Sequence, residues 1–315
     1  MSCSSHRVRA RSLGDRDVTV FKEFSRRWSS CVGGADQFRV HARVAEANTN
    51  RRRGVVLGHD DEYGHRGPVH AMTEPAAIWL LRHGQSQGNV VRDAARGRGL
   101  DMLEIADRDM DVPLSELGER QANAFGRWLG TQPGDVQPDV VVSSPYARAV
   151  ATAQRVVSAA GLDLKVHQDE RLRERELGIL DLYTWSGVKT RYPEEYRRRQ
   201  RLGKFYHRPP GGESWVDVAL RLRSLRDSLA REHTGRRVLL VTHEVAIVLM
   251  RYLLEDLDEA GALALGGGKL ANCSLTSYIT QQDGSPHLEL DGWTVPLEIA
   301  NEPVTEAKDA PVAPR

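Results

Sequence analysis

The chain has 315 residues, 40% of them hydrophobic, enough for one large or two medium domains around a substantial core. Its formal net charge of +1 excludes attraction to nucleic acid or an acidic membrane by overall charge, so any basic site must be local. The cysteines Cys3, Cys31 and Cys273 stand far apart without ligand spacing, which argues against a disulfide framework or structural zinc and fits a reducing cytoplasm.

In chain order, residues 1–71 are rich in Arg, Ser, Gly and His, include the run Arg51 to Arg53, and show little sustained period. They are expected to form a disordered basic extension, and their first residues lack the apolar core of a signal peptide. A domain is expected to open at Met72 and run to 298. Short apolar runs predict strands over 77–81, 139–142, 164–167, 237–242, 274–280 and 287–290, with amphipathic helices between them. One helix spans 116–129 behind Ser115 as N-cap; another spans 215–232, where Ser214 and Asp217 make a capping box. The stretch "VLLVTHEVAIVLM" is interrupted by His243 and Glu244 and is too short to cross a bilayer. "QQDGSP" reads as the turn of an antiparallel hairpin at a sheet edge. Residues 299–315, rich in Pro, Ala and charge, read as a flexible tail. The alternation predicts an α/β fold of three layers, α/β/α, around a mostly parallel sheet.

Three strand endings carry the functional signal. "IWLLRHG" closes on Arg82 and His83, "DVVVSSPYARA" runs into a turn with Arg148 just beyond, and "RRVLLVTHE" closes on His243. In an open parallel sheet the carboxyl ends share one crevice, where ligands bind. Ser144 and Pro145 suit the N-cap and first helical position, which would aim the positive end of a helix into that crevice. Cations, imidazoles and a helix N-terminus together call for an anion, and phosphate matches the arginine fork.

The segments "RHGQSQGN", "SSPYARAVATA", "RLRERELG", "PPGGESWVDV" and "LLVTHE" occur in the order and rough spacing of a known family. Over about 76–280 the chain resembles the histidine phosphatase superfamily, the phosphoglycerate-mutase-like proteins, and more closely their phosphatase branch. The resemblance implies that His83 is the nucleophile that becomes phosphohistidine, that Arg82, Asn89, Arg148 and His243 bind the phosphoryl group, and that Glu174 is the general acid and base. Glu176 is the rival for that last role and is expected to face the other way. Glu244 stands where many members have glycine, and Gly88 where the mutases usually have tryptophan.

The implied chemistry needs no metal or other cofactor. Phosphate monoesters hydrolyse so slowly in water that acceleration can reach about 10²¹-fold, and two arginines with an imidazolium can supply the charge stabilisation. The nucleophile must be neutral, which neighbouring arginines favour. A carboxyl with pKa about 4.3 is protonated only roughly 0.2% of the time at pH 7, so the acid must be shifted upward by burial and by the phosphate. The reading is a phosphomonoesterase acting on a small phosphorylated metabolite, with phosphoglycerate mutase as alternative and a catalytically silent phosphate-binding module as a third. No nucleic acid or membrane partner is expected, and a homodimer is compatible with the sequence. Two basic stretches are expected to shape the substrate pocket: 92–111, and 189–214, in which Arg191, Arg201, Lys204, Tyr206 or Arg208 would meet a second anionic group. Since the sequence places the domain boundary at Met72, a protein begun there is expected to match the full chain in melting temperature and turnover. A calorimetric drop of many degrees would show that residues 1–71 pack on the domain.

Overall fold

The structure is a computed structural model and describes residues 74–268 and 270–306. The expected disordered extension, 1–71, lies outside the described residues. Six strands, β1 (Ala77–Arg82), β2 (Val140–Ser143), β3 (Val166–Gln168), β4 (Arg237–Thr242), β5 (Leu275–Thr280) and β6 (Pro286–Trp293), form one sheet in the order β3-β2-β4-β1-β5-β6. The first four in that order run parallel; β5 and β6 are antiparallel additions at one edge. The helices are α1 (Gln87–Arg98), α2 (Glu116–Gly130), α3 (Ala147–Ala159), α4 (Trp185–Arg191) and α5 (Pro193–Tyr206), then α6 (Trp215–Glu232), α7 (Glu244–Leu254), α8 (Glu259–Leu265) and α9 (Val295–Ile299).

Continuous apolarity, rather than alternation, marks strands covered on both faces. All six residues of β1 and all four of β2 are buried. Ile78, Leu80, Val140, Val142, Val238 and Leu240 share a cluster with Val218, Leu222, Leu225 and Leu229 of α6 and Ile247 of α7. The period-2 alternation turns Trp79, Leu81, Val141 and Leu239 to the opposite face, where α3 lies on β2, β3 and β4 and α2 packs on α3. The expected three-layer architecture is the observed one.

Local signals set the helix starts. Ser115 accepts from the Gly118 N–H at 3.1 Å, and Ser214 with Asp217 forms the expected reciprocal cap of α6. The turn before α3 differs from expectation: the helix begins at Ala147 with Tyr146 as its cap residue, and no side chain caps it. The Ser144 hydroxyl instead meets the His243 ring at 2.8 Å, so Ser144–Pro145 is a turn leading to the helix rather than its first residues. Strand ends shift by one to three residues where pairing, not apolarity, decides them. β3, an edge strand, pairs over three residues only, and β6 extends to Trp293 through an irregular register with β5.

The segment expected to trail free from 299 is tied down as far as 306. Gln121, fully buried on α2, donates its amide to the Pro303 carbonyl at 2.8 Å, and the Asn272 N–H donates to the Thr305 carbonyl at 2.8 Å. Arg120 pairs with Glu302 at 3.0 Å, and Ala271 bridges Glu306. A buried amide needs partners, and this short strap supplies them.

The tight cluster between α6 and the sheet makes a direct stability prediction. Leu222→Ala, at a fully buried site, should cost about 2–5 kcal/mol in chemical denaturation. Leu220→Ala, on the same helix but 56% exposed, should stay within about 0.5 kcal/mol of the parent.

Candidate active site

Parallel pairing places the site. Arg82 lies opposite Thr242 across β1 and β4, and Ser143 lies opposite Val241 across β2 and β4. The next residues, His83, Ser144 and His243, therefore emerge side by side at the carboxyl edge. The His83 N–H continues the ladder to the Thr242 carbonyl at 3.0 Å, while the His83 carbonyl accepts from the Asn272 side-chain amide at 3.1 Å. Behind His83 the backbone must pass close to α2. A Cβ on Gly84 would stand 2.5 Å from the Gly118 carbonyl oxygen, so only glycine fits that turn.

The His83 ring is buried, with Nδ1 2.7 Å from the Gly84 carbonyl oxygen. A carbonyl can only accept, so Nδ1 carries the proton and Nε2 keeps its lone pair. Burial first, then the charges of Arg148 and Arg82, hold the imidazole pKa well below its ordinary value. The His243 ring stands 5.1 Å from that of His83, between centroids. Burial, followed by the charge of Arg148, depresses its pKa strongly as well. Its Nε2 meets the Ser144 hydroxyl, while its Nδ1 and the Nε of Arg82 are buried without a partner among the described residues. Orphaned polar atoms at one place point to an absent ligand.

The two cations each meet a carboxylate. Arg82 pairs with Glu244 at 3.1 Å and donates to the Leu270 carbonyl; Arg148, in the first turn of α3, pairs with Asp109 at 3.0 Å. Asn89 sits at the third position of α1 in a capping box: its Oδ1 accepts from the Ser86 N–H at 3.0 Å, and the Ser86 hydroxyl accepts from its N–H. That cap spends the amide oxygen and leaves the amide nitrogen for a ligand.

Glu174 brings one carboxylate oxygen 3.9 Å from His243 Nδ1 and accepts the Arg175 N–H at 2.9 Å. Burial raises its pKa above the ordinary carboxyl value, against the opposing pull of that hydrogen bond and of Arg148. Glu176 does not face the other way from Glu174, because side chains two positions apart in an extended segment share one side. Both carboxylates line the same cavity, and Glu176 accepts the Tyr146 hydroxyl at 2.6 Å. The Glu176 N–H donates to the Glu213 carboxylate at 3.1 Å, and the chain turns at Gly178, whose φ of 55° is in the left-handed region. Glu213 in turn holds Arg173 and Arg221 at 2.6 and 3.0 Å.

All six residues marked by the sequence therefore converge: Arg82, His83, Asn89, Arg148 and Glu174 line the cavity, and His243 lies against His83 just beneath it. Its volume of about 200 Å³ suits a small molecule. The basic stretches fare unevenly. Lys204 lines the cavity, with Nζ 3.1 Å from the Gly266 carbonyl and over the Trp215 ring, but Arg191, Arg201, Tyr206 and Arg208 are not among the lining residues. Arg208 faces Asp217 and the Gly212 carbonyl instead. Arg92, Arg96, Arg175 and Arg199 do line it. Arg92, Arg96 and Asp109 belong to the stretch 92–111 and Arg199 to 189–214, both expected to shape the pocket, though none was singled out; Arg175, Tyr146 and Asn272 were missed. A helical spacing of four between Arg92 and Arg96 was the available signal for those two; Asn272 offered none.

Among the described residues no group of three or more His, Cys, Asp or Glu could hold a metal ion, and no helix is long and apolar enough to cross a membrane. Residues 78–293 match the family model described as the histidine phosphatase superfamily, branch 1. A bifunctional protein of Mycobacterium tuberculosis is 33% identical over 216 residues, 69% of this chain and 53% of the relative. The chain thus spans about half the length of that relative. A probable phosphoglycerate mutase, GpmB, of Yersinia enterocolitica is 30% identical over 69% of this chain and 90% of its own length. Among solved structures, a mycobacterial glucosyl-3-phosphoglycerate phosphatase in complex with VO3 superposes with a TM-score of 0.53 at 33% identity, covering 70% of this chain and 99% of that one.

Proposed function

From the premise that the chain belongs to the histidine phosphatase superfamily, branch 1, we propose that it hydrolyses a small phosphomonoester through a phosphohistidine. The observation that carries this reading is the fixed tautomer of His83: a buried, neutral imidazole with its Nε2 lone pair unspent, beside two arginines and the orphaned Nδ1 of His243. In the first step His83 Nε2 bonds to phosphorus, the ester P–O bond breaks, and the departing oxygen takes the proton of Glu174. In the second step Glu174, now a carboxylate, removes a proton from water as its oxygen bonds to phosphorus. The N–P bond breaks, returning neutral His83 and releasing inorganic phosphate. Arg82, Arg148, the Asn89 amide and His243 hold the phosphoryl oxygens throughout, and their charges and donors supply the electrostatic stabilisation without a metal or cofactor.

A mutase would run the same first step and return the phosphoryl group to a second hydroxyl, and the resemblance to GpmB keeps that reading in play. Gly88 favours hydrolysis. It lines the cavity beside Asn89 and stands where the family resemblance would put a tryptophan in a mutase, and a Cβ there would stand 3.3 Å from Val112 Cγ1. A panel of phosphorylated metabolites, assayed with and without 2,3-bisphosphoglycerate, separates the two: free phosphate from several substrates supports the hydrolase, and isomerisation that depends on the bisphosphate supports the mutase.

His83→Ala should abolish turnover while leaving the melting temperature within a few degrees, because the ring supplies the nucleophile and little of the core. More than a trace of hydrolysis by that variant would defeat the mechanism.

Activity requires His83 neutral and Glu174 protonated, so kcat/KM should fall on the acid side as His83 gains its proton and on the alkaline side as Glu174 loses its own. Since the His83 pKa is depressed and the Glu174 pKa raised, the plateau between them should extend into the acid range. Glu174→Gln should remove the alkaline limb and slow esters with poor leaving groups far more than an activated aryl phosphate. Equal losses for both esters, or a larger selective effect in Glu176→Gln, would take the acid role away from Glu174.

A further inference from the structure

Both terminal nitrogens of the phosphate-facing Arg82 are already committed, while its Nε has no hydrogen-bond partner among the described residues. Its Nη1 donates to the Leu270 carbonyl, and its Nη2 pairs with Glu244 at 3.1 Å in surroundings that leave the two side chains only 4% and 8% exposed. Glu244 is the first residue of α7, directly after His243, and lines the same cavity. The positive end of that helix favours a carboxylate there. Arg148 has a carboxylate partner too, but Asp109 is one-third exposed and can turn toward water, whereas Glu244 is enclosed.

We propose that Glu244 is an anion placeholder that opposes phosphate at Arg82 and thereby sets how readily the site empties. The proposal rests on the reading of this cavity as a phosphoryl site. A phosphoryl group reaching Arg82 either takes Nη2 from Glu244 or lies beside its carboxylate. The first route takes the guanidinium away from a buried carboxylate; the second sets two anions together where the dielectric is low. Both weaken the binding of ester and of released phosphate alike, so KM and the dissociation constant of the product rise together. The benefit falls on turnover, since a site with two unopposed arginines would hold its product.

The test compares wild type with Glu244→Gln, which keeps an acceptor for Nη2 but removes the charge, and with Glu244→Asp, which keeps the charge but draws it back. Isothermal calorimetry with inorganic phosphate and with orthovanadate, at fixed pH and ionic strength, reads the dissociation constants directly. Removing one buried charge near the ligand should tighten phosphate by about tenfold or more in Glu244→Gln, with a smaller gain in Glu244→Asp and a parallel fall in KM for an aryl phosphate. A residue that merely holds the fold would not make the variant bind more tightly. Unchanged or weaker phosphate binding by folded Glu244→Gln would overturn the proposal, as would variants that fail to fold with phosphate present, which would make Glu244 structural. Wild type that binds phosphate but hydrolyses no ester sinks the hydrolase reading alone and leaves this comparison valid. Wild type that turns over aryl phosphate with no difference between its constants and those of Glu244→Gln sinks the proposal alone.

Discussion

The parallel alignment of β1, β2 and β4 is the constraint on which the site depends. Strands that run the same way end at the same edge, and backbone pairing fixes their ends to within a residue. Arg82, His83, Ser144 and His243 therefore need no long side-chain reach to come together. The glycine after His83 and the cap at Ser86 then turn the chain into α1, which brings Asn89 to the same place. The apolar cluster of α6 and α7 behind the sheet keeps that edge rigid, which a preorganised site requires.

Burial does two opposite things within a few ångströms. It penalises the charged form of any group, so it lowers the pKa of His83 and raises that of Glu174. One low-dielectric pocket thus favours a neutral imidazole beside a neutral carboxyl, the pair of states that the proposed reaction needs. The arginines sharpen the first effect and blunt the second. Their own partners, Glu244 and Asp109, keep the empty pocket from carrying a large uncompensated charge.

Much of this was legible in the sequence because strand endings and short polar motifs are local. Arg82, His83, Arg148 and His243 each follow an apolar run, and the capping box of α6 lies within four residues. What escaped depends on distant pairing. Nothing local says that Asp109 meets Arg148, that Glu213 holds the Glu176 N–H, or that Asn272 holds the His83 carbonyl. The Ser144–Pro145 turn misled for a related reason: Ser144 is a good cap in isolation, but a histidine from another strand takes its hydroxyl. The strap at 300–306 reads as tail by composition, and its distant partners Gln121, Asn272 and Arg120 explain why it stays.

The sheet order also bears on the sequence of events during synthesis. β1 is the first strand of the domain to leave the ribosome, yet its neighbours on either side are β4 and β5, made only after most of the domain. The strand carrying Arg82 and His83 must therefore wait, apolar and unpaired, while β2, β3 and the intervening helices appear. Such long-range closure slows folding and exposes a sticky edge in the interim. The nascent chain is thus most vulnerable to aggregation and most in need of chaperone cover before β4 emerges, and the edge that carries the candidate site is among the last parts of the molecule to exist.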